Sequence, residues 1–386
     1  MNEYVDVVII GAGLSGAVLA RKYAEHNKKV LLIEKRDVVS GHILDRYNEI
    51  GILVQQFGPH AFHTNKENVY DFITKYHEWF EYKLKCEVFM DNKFTPSPFN
   101  FKTIDDYFDE NQANKIKQNL IQEFPNQTKA TILEIMDSTN PIVKNYGNFL
   151  FEKDYKLYTS KQWGIEPSKI DISVLKRVPV RFDYSHQYFD DKYQLMPKNG
   201  FKAFVESLLD HKNIKIMLNT DAFSLLEFNE GFLTLKLDGE MFSKRIIFTG
   251  PIDRLFSFKF GQLPYRSLVF DYKIVDSDSF QPEAIVAYPQ VEGYTRITEY
   301  SKLPIQKTNG KTVLAYEYPV QSTVDGKHDP YYPIPTDESK IQYNKYKEEA
   351  SKYSNLTLCG RLADFKYYNM DDTIANALTI FQSLNT

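Results

Sequence analysis

The sequence predicts an α/β protein: a Rossmann-like domain, a helical insertion and an antiparallel β-sheet domain. Three observations lead there. A glycine-rich turn sits between two apolar runs inside the first 34 residues. Apolar residues at helical spacing fill the middle of the chain, and short alternating runs between turn signals dominate its later segments.

The first run, Val7 to Ile10, is continuously apolar and suits a strand buried on both faces. Gly11, Gly13 and Gly16 come next at the G-x-G-x-x-G spacing. The first glycine permits the tight turn, the second close approach of backbone to a pyrophosphate, and the third close packing of helix on strand. Leu14 and Ser15 then open a helix whose free N–H groups and dipole favour phosphate. A second buried strand, Val30 to Ile33, ends in Glu34, where a carboxylate can hold a ribose hydroxyl pair, with Lys35 beside it. Strand, helix, strand and acid stand in order, so the N-terminal segment should bind an adenine dinucleotide.

The middle of the chain leaves this rhythm. Residues 66–80 carry Val69, Phe72, Ile73, Tyr76 and Phe80 at helical spacing, and residues 86–101 read as strand and loop. Thr103 with Asp106 resembles a capping box. Ile116, Leu120 and Phe124 share a face, and further helices are expected at 132–136 and 141–155. From about Arg177 strands take over. Leu233, Leu235 and Leu237 read as part of a β-meander, Ile246 to Phe248 as a buried strand. Strands at 267–273, 283–288, 295–299 and 312–318 have no helices between them, so an antiparallel sheet is expected. A helix at 341–354, a strand at 356–359 and a last amphipathic helix close the chain. The expected boundaries are 1–80, 197–260 and 340–386 for the cofactor domain, 100–170 for the helical insertion, and 81–99, 171–196 and 261–339 for the sheet domain.

At 386 residues the chain can bury a large core. A net charge of −4, from 47 basic and 51 acidic residues, offers no footprint for nucleic acid or a membrane surface. Cys86 and Cys359, the two cysteines, argue against a disulfide scaffold and a cysteine-rich metal site. No apolar run is long enough to span a membrane, and cytoplasmic residence is expected. The unusual feature is the 28 Phe and 27 Tyr, enough to suggest tyrosines lining a polar cleft as well as packing the core.

A late Gly360-Arg361 and the final helix suggest that the C-terminus returns to the cofactor domain, which favours gripped FAD over exchangeable NAD. Several stretches then carry a family resemblance. They are Gly11-Ala-Gly-Leu-Ser-Gly-Ala17, Phe57-Gly-Pro-His-Ala-Phe-His-Thr64 and Tyr158-Thr-Ser-Lys-Gln-Trp-Gly164. Lys176-Arg-Val-Pro-Val-Arg-Phe182, Thr249-Gly-Pro-Ile-Asp253, Tyr265-Arg-Ser-Leu268 and Tyr294-Thr-Arg-Ile-Thr-Glu299 continue the series. Tyr331-Tyr-Pro-Ile334 and Gly360-Arg-Leu-Ala-Asp-Phe-Lys-Tyr-Tyr-Asn-Met-Asp371 complete it. In these stretches and their order the chain resembles the flavin-dependent UDP-galactopyranose mutases over nearly its whole length.

That resemblance implies an isomerase acting on a nucleotide-activated sugar without net redox change. Reduced FAD would act as nucleophile at the anomeric carbon, the nucleoside diphosphate would leave, and the opened sugar would reclose as a furanose. An external reductant such as NAD(P)H is implied, and a homodimer is left open. Arg181 and Arg296 occupy the two diphosphate-clamping positions, where guanidinium offers fixed bidentate donors. Tyr158, Trp163, Tyr193, Tyr332, Tyr367 and Asn369 correspond to positions around the substrate. Arg361 should meet the FAD pyrophosphate, with Met370 and Asp371 beside the flavin. His60 and His63, spaced i, i+3, could suggest a metal, but no third ligand motif accompanies them. The resemblance instead places their loop against the isoalloxazine, His63 near N5; a purely structural histidine is the alternative.

The chain departs from the family at Ser40-Gly41-His42, where Gly-Gly-Asn is usual, at Asn369, where many members have Asp, and at Phe94 to Asn100. His42 therefore joins the expected cofactor contacts. The sugar stays open between galactose, 6-deoxygalactose and N-acetylgalactosamine, on UDP or dTDP. Two other classes stand beside the mutase: an oxidoreductase of the amine-oxidase type, which has no use for paired diphosphate arginines, and a non-catalytic nucleotide-sugar sensor.

Overall fold

A computed structural model describes residues 5–164 and 178–385, with residues 238 and 243 excepted. Its centre is a five-stranded parallel sheet in the order Ile214–Met217, Val30–Ile33, Val7–Ile10, Ile246–Phe248, Leu356–Leu358. Period-two alternation divides the first strand between two cores. Val7 and Ile9 face a cluster with Ala17 and Val18 of helix Leu14–Glu25, Phe201 and Phe204 of helix Gly200–Leu209, and Ile374 and Phe381 of helix Met370–Asn385. Val8 and Ile10 face Leu233 and Leu235 of the meander and Tyr346 of helix Asp337–Ser351. Both faces are covered, which is why the strand reads as uninterrupted Val and Ile.

Helix Gly200–Leu209 falls in a region where the sequence predicts strands. Phe201, Phe204, Val205 and Leu208 do recur at helical spacing, and all four are buried. Its start depends on Asp45, whose carboxylate accepts from the backbone N–H groups of Phe201 at 2.6 Å and Lys202 at 3.0 Å. The cap thus comes from a residue 155 positions upstream of Gly200, beyond any local signal.

The helical segments form their own core around Ile104, Leu120, Ile132, Val143 and Tyr146. The first cap differs from the expectation. Asn100 caps helix Phe101–Tyr107, and Thr103 is the third residue of that capping box rather than its beginning. Thr103 instead receives a hydrogen bond from Thr95. Residues 141–155 divide into helix Pro141–Leu150 and a π turn, Phe151–Tyr155, which runs into helix Lys156–Trp163. Gly164 ends that helix in the left-handed conformation at φ 66°. The helix expected over 66–80 ends at Tyr76, because Trp79–Glu81 pairs as a strand with Tyr193–Pro197.

A seven-stranded sheet completes the fold. Its order is Tyr332–Pro333, Tyr265–Val275, Thr312–Gln321, Arg296–Glu299, Ile285–Ala287, Cys86–Met90, Lys93–Ser97. The pairings are antiparallel as expected, with one correction: Ile285–Ala287 runs parallel to Cys86–Met90. The latter enters from the N-terminal half of the chain, so no hairpin constrains its direction. Among the described residues no helix is long and apolar enough to cross a membrane.

Candidate active site

The glycine turn is built by contacts that exclude a Cβ. One added to Gly11, at φ 104°, would lie 2.1 Å from Thr249 Oγ1, and one on Gly16 would lie 2.0 Å from the Gly11 carbonyl oxygen. A Cβ on Gly41 would reach 2.9 Å from Gly13 Cα, so two backbone segments pass each other here without side chains. Leu14 and Ser15, both buried, start the helix after Gly13, which gives no side-chain cap. The orphan N–H groups of that first turn suit a phosphate. Glu34 is buried beneath them. One carboxylate oxygen accepts from Ala12 N–H at 2.9 Å and the other from Arg36 N–H at 3.0 Å. Lys35 and Arg36 reach across to Asp329 at 3.0 and 2.6 Å. Burial opposes ionisation of Asp329, yet these two cations hold its pKa down at about 2.

His42, at the departing position, stacks on Tyr331 with ring centroids 4.5 Å apart and planes 9° from parallel. Desolvation first, then the Arg36 and Arg361 charges, hold its pKa well below the usual histidine value. The imidazole is therefore neutral.

A second set of residues surrounds Arg296, on an inner strand of the seven-stranded sheet. Glu317 stands opposite it in register. Arg296 Nε and Nη2 both lie 2.7 Å from Glu317 Oε2. Among the described residues Arg296 Nη1 has no hydrogen-bond partner, and 22% of the side chain stays exposed. Desolvation works against its charge, but Glu317 overrides this and holds the pKa far above the ordinary value. Tyr158 and Tyr332 both feel this guanidinium, though burial dominates and raises each phenol. Arg361 sits 5.2 Å from the ring centroids of both Tyr332 and Tyr367, whose planes are 18° apart. It donates to the carbonyls of Tyr331 at 3.4 Å and Tyr368 at 2.8 Å.

His60 joins this set. Its Nδ1 lies 2.8 Å from the Gly58 carbonyl oxygen, which only accepts, so Nδ1 carries the proton and Nε2 keeps its lone pair. Burial, then the charges of Arg361 and Arg296, lower its pKa to about 4. At the start of the last helix, Asn369 accepts from Thr373 N–H at 2.9 Å. Met370 packs on the core of the parallel sheet, and Asp371 accepts from Thr64 and Lys66.

Three expected site residues have their described partners outside the Arg296 set. His63 holds Asp191 at 2.9 Å through Nδ1 and stacks on Phe189 at 3.6 Å. Tyr193 stacks on Tyr70 at 3.8 Å and donates to Glu67 at 2.6 Å on the surface. Arg181 pairs with Asp190 and, at 3.6 Å, with Asp183. The side chain of Trp163 and residues Lys176 and Arg177 lie outside the described residues. Conversely, Glu317 and Tyr188 belong to the set although no motif marks them. Tyr188 lies close enough to Tyr158 to raise its pKa. The signal for Glu317 exists only in the pairing of two strands, 21 residues apart in sequence.

A glycine-turned parallel sheet, a separate mixed sheet and a permanently charged arginine flanked by tyrosines define a dinucleotide-binding enzyme with a cation available to an anionic ligand. The model of the UDP-galactopyranose mutase family matches residues 153–367, and that of an NAD(P)-binding Rossmann-like domain matches residues 9–76. The chain belongs to the UDP-galactopyranose mutase family of isomerases. A probable UDP-galactopyranose mutase of Klebsiella pneumoniae is 34% identical over 97% of this chain and 93% of its own length. A dTDP-fucopyranose mutase of Escherichia coli is 32% identical over 97% of both chains. Among solved structures, reduced UDP-galactopyranose mutase superposes with a TM-score of 0.71 at 16% identity, covering 99% of this chain and 96% of the other.

Proposed function

We propose that this enzyme interconverts the pyranose and furanose forms of UDP-galactose, using bound FAD in its reduced state. The observation that carries the reading is Arg296: a cation anchored by Glu317, walled by Tyr158 and Tyr332, with Nη1 open to a ligand. A leaving diphosphate needs such a charge, and an amine substrate would be repelled by it.

The residues present fit the cofactor. The side-chain-free crossing of Gly13 and Gly41 makes a cradle that any Cβ would fill, and the adjoining N–H groups suit a pyrophosphate. Glu34 suits the ribose, with Lys35 beside it; Gly360 packs against Ser15 at the helix start, and Arg361, the next residue, supplies a cation among Tyr332 and Tyr367. When bound and reduced, the flavin supplies the nucleophile for the anomeric carbon. Arg296 then stabilises the charge that grows on the departing diphosphate; Arg181, paired with Asp190 and Asp183, would add a second cation once a diphosphate draws it from that pairing. Tyr158, Tyr332 and Tyr367 hold the substrate and exclude water. Neutral His60 offers Nε2 as an acceptor, and His63, through the Asp191 contact, keeps the same loop in shape.

The same chemistry on dTDP-6-deoxygalactose is the second reading, favoured by the nearly equal likeness to a dTDP-fucopyranose mutase. Photoreduced enzyme is incubated with each nucleotide sugar and the products are separated by chromatography. A furanose product from UDP-galactose supports the first reading, one from the dTDP sugar alone the second. Stoichiometric NADH oxidation per product would overturn both in favour of an oxidoreductase.

A further inference from the structure

The helix that bears Tyr158 is poorly secured by its own backbone. It emerges from a π turn, whose wide i→i+5 bonding is rare and weak, and it ends after eight residues at Gly164. Two cationic side chains hold it. At its end, Arg266 donates to the carbonyls of Gln162 at 3.0 Å and Lys161 at 3.3 Å. From within it, the Lys161 ammonium reaches the loop that leads into the Arg296 strand. There it donates to three main-chain carbonyls: Tyr288 at 2.7 Å, Val291 at 2.5 Å and Tyr294 at 2.8 Å.

We propose that Lys161 is a positioning residue for substrate binding: its ammonium staples the Tyr158 helix to the loop preceding Arg296, setting the distance between aromatic wall and diphosphate cation. This rests on the proposed nucleotide-sugar site. Three donors meet three acceptors, so the ammonium saturates the loop and leaves no N–H for substrate. Tyr294 lies two residues before Arg296, so a shift of this loop moves the guanidinium. Lys161 keeps no carboxylate partner within ion-pair distance among the described residues, although the field of buried Asp154 supports its charge. Desolvation lowers its pKa to about 8, with the Asp154 charge offsetting part of the burial. Within the loop the Tyr288 and Tyr294 rings pack edge to face, 5.4 Å between centroids.

The test uses flavin-loaded Lys161→Met, which keeps the apolar stem and removes all three donors. Dissociation constants for UDP and dTDP are measured by titration, alongside kcat, KM and the melting temperature. The expected result is a rise of about 10-fold in KM and in the nucleotide dissociation constant, with a smaller fall in kcat than Arg296→Ala shows, since the guanidinium is displaced but not removed. Lys161→Gln, with fewer donors, should fall between wild type and Lys161→Met. It replaces Lys161→Met in the test if that variant does not accumulate. Unchanged nucleotide affinity in a loaded variant overturns the staple. So does failure of both variants to load flavin, which would assign Lys161 to folding. If wild type itself binds neither nucleotide, the proposed function falls instead.

Discussion

Arg296 and Glu317 face each other across two antiparallel strands, and both the Nε and Nη2 of the arginine converge on one carboxylate oxygen at 2.7 Å. Glu317 is 1% exposed while the guanidinium stays open at one edge, so the acid is a fixed mount and the base its working face. Replacing Arg296 by Ala should cut turnover by at least about 10²-fold, as losing one electrostatic donor at a reacting centre does. Lys should restore only part, because a point charge cannot engage Glu317 and a phosphate as a planar fork does. Glu317→Gln leaves the cation unmounted and should cost about 3 kcal/mol of stability in denaturant titrations. Near-normal turnover of flavin-loaded Arg296→Ala would refute the diphosphate assignment.

Arg181 rests against Asp190 and Asp183. If it serves the diphosphate, Arg181→Ala should lower turnover by about 10²-fold with an unaltered flavin spectrum. Asp190→Asn, which only releases it, should leave turnover within about threefold of wild type. Steady-state kinetics of the two variants separate the roles; equal losses in both would mean that the ion pair itself is what matters.

His60 sets a pH dependence. The unfolded chain takes up its proton near pH 6.5 and the folded one near pH 4, so the unfolded state binds more protons between those values. Stability from this group is complete above the upper limit and is lost as pH falls through the window. Partial exposure of the ring trims the loss to about 2 kcal/mol. Denaturant midpoints at pH 7.5 and 4.5 (pH values chosen as roughly spanning the window) should converge in His60→Asn, whose amide can still donate to the Gly58 carbonyl.

Gly41 tests the cofactor. At φ 55° and with Gly13 Cα within 2.9 Å of any added Cβ, Gly41→Val must push the two backbone segments apart. Wild-type protein should purify yellow and release FAD on denaturation, whereas the variant should fold with most of its flavin missing. A colourless wild type that FAD cannot restore would remove the basis for the whole functional reading.

Gly200 tests the fold alone. Its φ of 92° excludes most side chains, and a Cβ would sit 2.5 Å from Asp45 Oδ2. Burial raises the Asp45 pKa to about 6 despite its backbone donors. Gly200→Ala should cost roughly 2 kcal/mol or more through strain and the displaced cap, read from thermal melts.

How legible each feature is in the sequence depends on the range of the interaction behind it. The glycine turn, both strands beside it and Glu34 are legible because adjacent backbone dictates them. The capping box at Asn100 lies three residues from its expected start, since Thr103 and Asp106 look locally as suitable as Asn100 and Thr103. Tyr193 and Tyr188 are five residues apart and alike in composition. Tyr193, paired in its strand with Thr64, meets Tyr70 on the surface, whereas Tyr188, before that strand and bonded through its N–H to the Leu84 carbonyl, nears Tyr158. His60 and His63 diverge in the same way. His60, in the loop before strand Phe62–Thr64 and held by Gln55 and Gly58, lies near Arg361, whereas His63, within the strand, meets Asp191.

The parallel sheet has a temporal consequence. Val7–Ile10 is flanked on one side by Ile246–Phe248, which in turn is flanked by Leu356–Leu358, and helix Leu14–Glu25 packs against Met370–Asn385. Of these segments the earliest in the chain is thus completed by the latest. Until Ile246–Phe248 and Leu356–Leu358 are made the glycine turn lacks these neighbours, so the earlier segments must stay unaggregated meanwhile. A premature stop before residue 356 would leave a nearly full-length polypeptide whose nucleotide cradle never closes.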